Sequence, residues 1–97
     1  PDISNFTIDE SYDDNIKVSQ GETVWIKAEI NDDGKITSAN LEIDETKYSF
    51  TDTTDTTYKY EWKTESIGLG LHEIKIIAID DDDNERIRRK NVEIIEE

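Results

Sequence analysis

From Val24 to Ile30 the chain alternates residue by residue: Val24, Ile26, Ala28 and Ile30 fall on one phase, and Trp25, Lys27 and Glu29 on the other. Successive strand residues point to opposite faces, so a period of two sends one set to a core and the other to water. The alternation returns in Tyr58, Tyr60 and Trp62 against Lys59, Glu61 and Lys63, and again in Ile74, Ile76 and Ala78. No segment longer than two turns carries the helical period. Composition agrees: 15 Ile and ten Thr stand against three Leu, which favours strands over helices. The ordering matters because bulk composition leans the other way. With 33% hydrophobic residues, 37% charged residues and a net charge of −14, a chain lacking such order would be expected to stay disordered. The sequence therefore predicts one all-β domain over residues 1–97 with a thin core. A chain of this length buries about 60–70% of its unfolded surface.

The charge balance excludes several partners. Phosphate binding needs a basic patch, and a field set by 25 acidic against 11 basic residues repels nucleic acid and anionic membrane surfaces alike. No apolar run approaches the roughly 20 residues that span a bilayer. Cysteine is absent, which removes disulfides, thiolate nucleophiles and zinc–cysteine sites. The chain opens on Pro1 rather than Met and reads as a module excised from a larger protein.

Strands are expected over residues 3–8, 22–30, 36–43, 46–50, 58–63, 72–79 and 86–95, the last with a break of phase between Ile87 and Val92. In 36–43, Thr37, Ala39, Leu41 and Ile43 share a face. Asx- and Gly-rich turns separate the strands. Seven to eight short strands at this spacing predict an antiparallel β-sandwich. Strands 22–30 and 58–64 are expected to pair so that opposing residue numbers sum to 88. Glu29 then faces Lys59, Lys27 faces Glu61, and Trp25 covers the stem of Lys63.

Tyr58-x-Tyr60-x-Trp62-x-Thr64, Gly68 and Gly70, and His72-x-Ile74-x-Ile76-x-Ala78-x-Asp80 closing at Asn84 resemble the second half of immunoglobulin-like modules of prokaryotic surface proteins. Gly21-Glu22-Thr23-Val24 resembles their first half. The resemblance implies an immunoglobulin-like Greek key and an extracellular or cell-surface location. Cadherin-like, fibronectin-like and bacterial immunoglobulin-like types stay open. Such modules commonly stand in tandem as spacers or adhesive units, and a monomer is expected.

In that topology one end gathers the N-terminus and three loops, bringing together Asp2, Asp32, Asp33, Asp52, Asp55 and Asp80 to Asp83. Ca²⁺ takes six to eight oxygen ligands, and Asp32, Asp33, Asp80, Asp82 and Asp83 are the candidates to supply them; solvated turn chemistry accounts for the same residues without an ion. Arg86, Arg88, Arg89 and Lys90 follow the acidic turn and are expected to neutralise it, with docking of an acidic neighbour as the alternative. Trp25 points away from the core and is the candidate binding residue for a glycan or a neighbouring domain; Ile77 and Ile79 lie on the outward phase of their strand and suggest an apolar stripe. His72, the one histidine, is expected to hold a loop backbone. No catalytic residue is assigned: the chain lacks a GxSxG or P-loop motif and a partner for the histidine. The expected function is a non-enzymatic spacer or adhesion module of an extracellular multi-domain protein, without a required cofactor, in contact with neighbouring domains; the alternative is an accessory carbohydrate-binding module using Trp25.

Overall fold

The computed structural model describes residues 1–96. Nine strands make up the fold: β1 (Asp2–Ile8), β2 (Asn15–Ser19), β3 (Thr23–Asn31), β4 (Ile36–Ile43), β5 (Thr46–Tyr48), β6 (Asp52–Thr54), β7 (Thr57–Lys63), β8 (Gly70–Asp80) and β9 (Glu85–Ile95). They form two sheets, ordered β1-β3-β7-β6 and β2-β9-β8-β4-β5. Every pairing is antiparallel except β2 with β9. The order matches an immunoglobulin sandwich in which the first strand switches sheets: β1 edges one layer and β2, after a short turn, edges the other.

The alternating residues build the core. Val24, Ile26, Ala28 and Ile30 of β3 and Trp62 of β7 meet Ile74, Ile76 and Ala78 of β8, Leu41 and Ile43 of β4, and Val92 and Ile94 of β9, all buried. Trp25, on the opposite phase, is 43% exposed. In β1 the phase is rescued by a bulge between Ser4 and Thr7, where Asn5 takes a φ of 49°. The bulge turns Ile3, Phe6 and Ile8 all inward.

Several expectations are corrected. β2 and β6 were not foreseen: β2 carries only Ile16 and Val18 as apolar residues, and β6 is three exposed residues. β3 and β7 do pair, but opposing numbers sum to 86, so Lys27 faces Lys59, Trp25 faces Glu61 and Lys63 faces Thr23. Trp25 therefore does not cover Lys63, which pairs with Glu61 at 3.7 Å. Buried packing sets the register, because exposed cross-strand pairs contribute only about 0.2–1 kcal/mol each. A bulge between Ile36 and Ser38 takes Thr37 off the inward face, and its hydroxyl donates to the carbonyls of Ile79 and Asp80. β9 shows no break of phase: Arg88 and Lys90 share the side of Val92 and Ile94, but they reach across to β1 and to the connection after it.

The domain measures 44 × 22 × 21 Å. Pro1 lies at one end beside Asp32 and Arg86. β9 runs from that end to the other, where Gln20 N donates to the carbonyl of Ile95.

Candidate functional site

At the Pro1 end the sequence expectation of converging Asp loops is largely met. Asp32, Asp33, Asp80 and Asp82 border one open cavity together with Pro1 and Arg86, and Asp2 borders its neighbour. Turn hydrogen bonds engage two of these acids, Asp80 and Asp32. Asp80 Oδ1 accepts from the backbone N–H of Asp82 (2.9 Å) and Asn84 (2.8 Å), and Oδ2 accepts from Asn84 Nδ2 (3.1 Å). Asp32 Oδ2 accepts from Gly34 N (2.8 Å). Burial by itself would raise the Asp80 carboxyl, but these bonds outweigh it and hold it below the usual carboxylate range. The terminal amine of Pro1 lies 2.9 Å from Asp32 Oδ1 and 3.8 Å from Asp80 Oδ2. Gly34 is tightly placed: a Cβ there would lie 3.0 Å from Asp81 Oδ1. Asp83 occupies a positive-φ turn position at 63°. Among the described residues no three His, Cys, Asp or Glu side chains are placed to hold one metal ion. Asp55 sits in the β6–β7 turn, which reaches the end of β3 through Ile30 N and the Thr56 carbonyl. Asp52 lies elsewhere, opposite Lys59 on the outer face.

Among the described residues the basic run forms no ion pair within 4.0 Å with the acidic turn, although Arg86 borders the same cavity. Arg86 Nε donates to the Pro1 carbonyl (3.4 Å) and Arg88 to the Ile3 carbonyl (3.3 Å), so these side chains close the seam between the sheets. Lys90 is buried, donates to the carbonyls of Tyr12 (2.6 Å) and Asp13 (3.2 Å), and stands 5.0 Å from the Phe6 ring centroid. Burial lowers its pKa. Sequence alone did not show this anchor; the one signal was a lysine in phase with Val92 and Ile94.

His72 is the third residue of β8 and holds the loop before it. Nε2 lies 2.7 Å from the Gly68 carbonyl and Nδ1 bonds Asp44 Oδ2. Asp44 Oδ1 accepts from Glu73 N (2.9 Å). Both ring nitrogens face oxygen acceptors, an arrangement only the imidazolium satisfies from both sides. Burial opposes that charge, but the Asp44 and Gly68 bonds outweigh it, so the His72 pKa is raised and that of Asp44 lowered.

Trp25 lies on the outer face of the β1-β3-β7-β6 sheet and walls a cavity of about 350 Å³ with Lys27 and Lys59. Asp9, Glu10 and Asp52 border it, and the buried Thr7 forms its floor. The rim is set by a tight turn: Ile8 and Ser11 exchange two backbone bonds, and Asp9 and Glu10 between them have φ of 52° and 64°. The furrow continues past Thr7, Glu10 and Lys27 to Tyr12, 67% exposed. Ile77 and Ile79, on the outward phase of β8, are half-buried on the second sheet and remote from Trp25. Three further exposed apolar residues, Leu69, Leu71 and Ile95, lie near the end opposite Pro1, where the β8–β9 ladder pairs Gly70 with Ile94.

Strand order, sheet switch and the His72-held corner define an immunoglobulin-like β-sandwich module. The family model described as "Bacterial Ig domain" matches residues 11–76, and the chain belongs to that family. It is similar to the fibronectin(III)-like modules of CbhA from Clostridium thermocellum, at 27% identity over 97% of each chain with a TM-score of 0.67. It is also similar to part of the endo-beta-1,4-mannanase from Thermotoga petrophila, at 14% identity and a TM-score of 0.73; the match covers 88% of this chain and 18% of that one, and speaks for the fold alone. None of the curated proteins matches the sequence closely enough to count as a relative. Bacterial Ig domains are commonly found in extracellular or surface proteins and are typically non-catalytic. Among the described residues no helix is long and apolar enough to cross a membrane.

Proposed function

We propose that the chain is a non-catalytic spacer module of an extracellular multi-domain protein, holding its neighbours apart. The observation behind this reading is the placement of the chain ends: Pro1 at one pole of a 44 Å body, Ile95 at the other. A chain that enters at one pole and leaves at the other adds its full length to a tandem. Leu69, Leu71 and Ile95 near the exit pole give a following domain an apolar seat, which shortens the swing of the joint. A head-to-tail tandem of two copies, measured by small-angle scattering, is expected to have a maximum dimension close to twice 44 Å. A tandem whose copies lie side by side, close to the length of one, removes the reading. Replacing Leu69 and Leu71 by Ser should leave each copy folded and broaden the distribution of joint angles.

A second reading is favoured by a different observation. The furrow between Trp25 and Tyr12 supports a reading in which the module acts as an accessory carbohydrate-binding unit.

A further inference from the structure

We propose that the outer face of the β1-β3-β7-β6 sheet binds a neutral oligosaccharide, one sugar stacked on Trp25 and its hydroxyls held by Lys27, Lys59 and the carboxylates around them. The proposal rests on the carbohydrate reading above and specifies its ligand.

The register of β3 and β7 supplies the first argument. It sets Lys27 directly opposite Lys59, an arrangement that costs stability between like charges. The described lysines within 4.0 Å of a carboxylate oxygen are Lys63, Lys75 and Lys90. Among the described residues neither Lys27 nor Lys59 lies within 4.0 Å of a carboxylate oxygen, although the β6–β7 register sets Asp52 opposite Lys59. The two lysines line the cavity together with Asp9, Glu10 and Asp52.

That mixture selects the ligand. Ammonium groups only donate hydrogen bonds and carboxylates only accept them, whereas a sugar hydroxyl does both. A furrow holding both kinds around an aromatic face can satisfy a polyol at every position, with the apolar side of the ring laid on the indole. A protein partner fits less well, since a dry contact would bury five charged side chains around a single aromatic. An acidic polymer would meet three carboxylates around Trp25 and a chain whose net charge is −14. The continuation to Tyr12 across Lys27 gives room for more than one sugar and a second aromatic surface at the far end. Asp9 and Glu10 are held at the rim in the left-handed region, which non-glycine residues adopt at a cost of order 1 kcal/mol or more.

Fluorescence titration tests the proposal. Trp62 is buried and Trp25 is exposed, so a ligand-induced change in emission reports Trp25. Hexamers of β-1,4-linked glucose, mannose and xylose serve as neutral probes, and oligogalacturonate as the acidic one. At least one neutral hexamer should perturb the emission saturably, with affinity reduced tenfold or more in Trp25→Ala. In Lys27→Ser/Lys59→Ser, which keeps the fluorophore, affinity should fall several-fold with the melting temperature retained. Binding of oligogalacturonate alone overturns the neutral ligand while leaving the carbohydrate reading intact. Silence towards every probe, or affinity unchanged in Trp25→Ala by calorimetry, overturns both.

Discussion

Replacing His72 by Gln should make the domain less stable by an amount that shrinks as pH rises. In the folded chain both ring nitrogens face acceptors, the Asp44 carboxylate and the Gly68 carbonyl at 2.7 Å, and the ring edge packs against Trp62 at a centroid distance of 6.2 Å. A buried hydrogen bond to a charged group contributes about 1.5–3 kcal/mol. The Asp44 side chain is 48% exposed, so solvent screening reduces the ionic contribution here to about 1 kcal/mol. The folded pKa of His72 is raised above 6.5. Its stabilisation is therefore fully present below pH 6.5 and is lost as pH climbs through the folded pKa, because the unfolded chain then binds fewer protons than the native one. At alkaline pH the neutral ring can donate to only one of its two acceptors. The Asp44 pKa is lowered, so the partner's share is present above its ordinary 3.8 and is lost as pH falls through the lower folded value. The assay is urea unfolding of wild type and His72→Gln from pH 5 to 9. Taking the difference cancels the titration of the remaining acids, and a change of about 1 kcal/mol moves the midpoint by roughly 0.3–1 M. Asp44→Asn should abolish the same pH dependence. A wild-type-minus-variant difference that is flat across the range, or that grows with pH, would show that the folded ring is neutral and the argument unsound.

Two further outcomes follow from the structure. Lys90→Met keeps the apolar stem but removes the donor to the Tyr12 and Asp13 carbonyls, so stability should fall by about 1–2 kcal/mol and proteolytic nicking between β1 and β2 should increase; unchanged cleavage would mean that the ammonium does not hold that connection. Ca²⁺ should raise the melting temperature no more than Mg²⁺ at matched ionic strength, because the Asp80 oxygens are already engaged by Asp82 and Asn84; a Ca²⁺-specific increment would contradict that assignment.

The fold was legible where one face of a strand is deeply buried. In β3 and β8 the two-residue period separates core from surface; in β7 only Trp62 is buried while Tyr58 and Tyr60 stay half-buried, and Trp62 and Trp25 fall on the sides the period assigns them. Legibility failed where a single hydrogen bond or a few residues carry the structure. β6 is Asp52-Thr53-Thr54, which no hydropathy pattern separates from a polar loop. β2 is secured by its parallel ladder with β9, a long-range pairing without a local signature. The basic run after Asp83 looked like charge balance, yet Arg86, Arg88 and Lys90 serve backbone carbonyls across the sandwich, because unpaired carbonyls near a seam need donors as much as carboxylates need cations. The furrow was half legible. Trp25 could be placed on the outer face, but Asp9 and Glu10 join it only through the turn that follows a bulge at Asn5, and Asn5-Phe6-Thr7 carries no glycine to announce one.

The register of β3 against β7 shows which forces decide in so acidic a chain. Charge pairing on the outer face favours a sum of 88, and the fold adopts 86. Thr64 lies immediately after β7 and is fully buried; its hydroxyl donates to the Glu22 carbonyl at 2.8 Å and accepts from Gly21 N at 3.0 Å, while its own N–H donates to the same carbonyl at 3.2 Å. Sliding β7 by two residues keeps every side chain on its face but carries Thr64 away from Glu22 and Gly21. Three bonds would be lost at a buried position, each contributing about 0.5–1.5 kcal/mol, and the slip would also move Trp62 from opposite Val24 to opposite Ile26. Two exposed ion pairs at up to about 1 kcal/mol each cannot offset that. The interior and its one polar anchor set the register. The lysine pair beside Trp25 is the consequence left on the surface, which is why that face sets Lys27 against Lys59 in a chain that carries acids in excess.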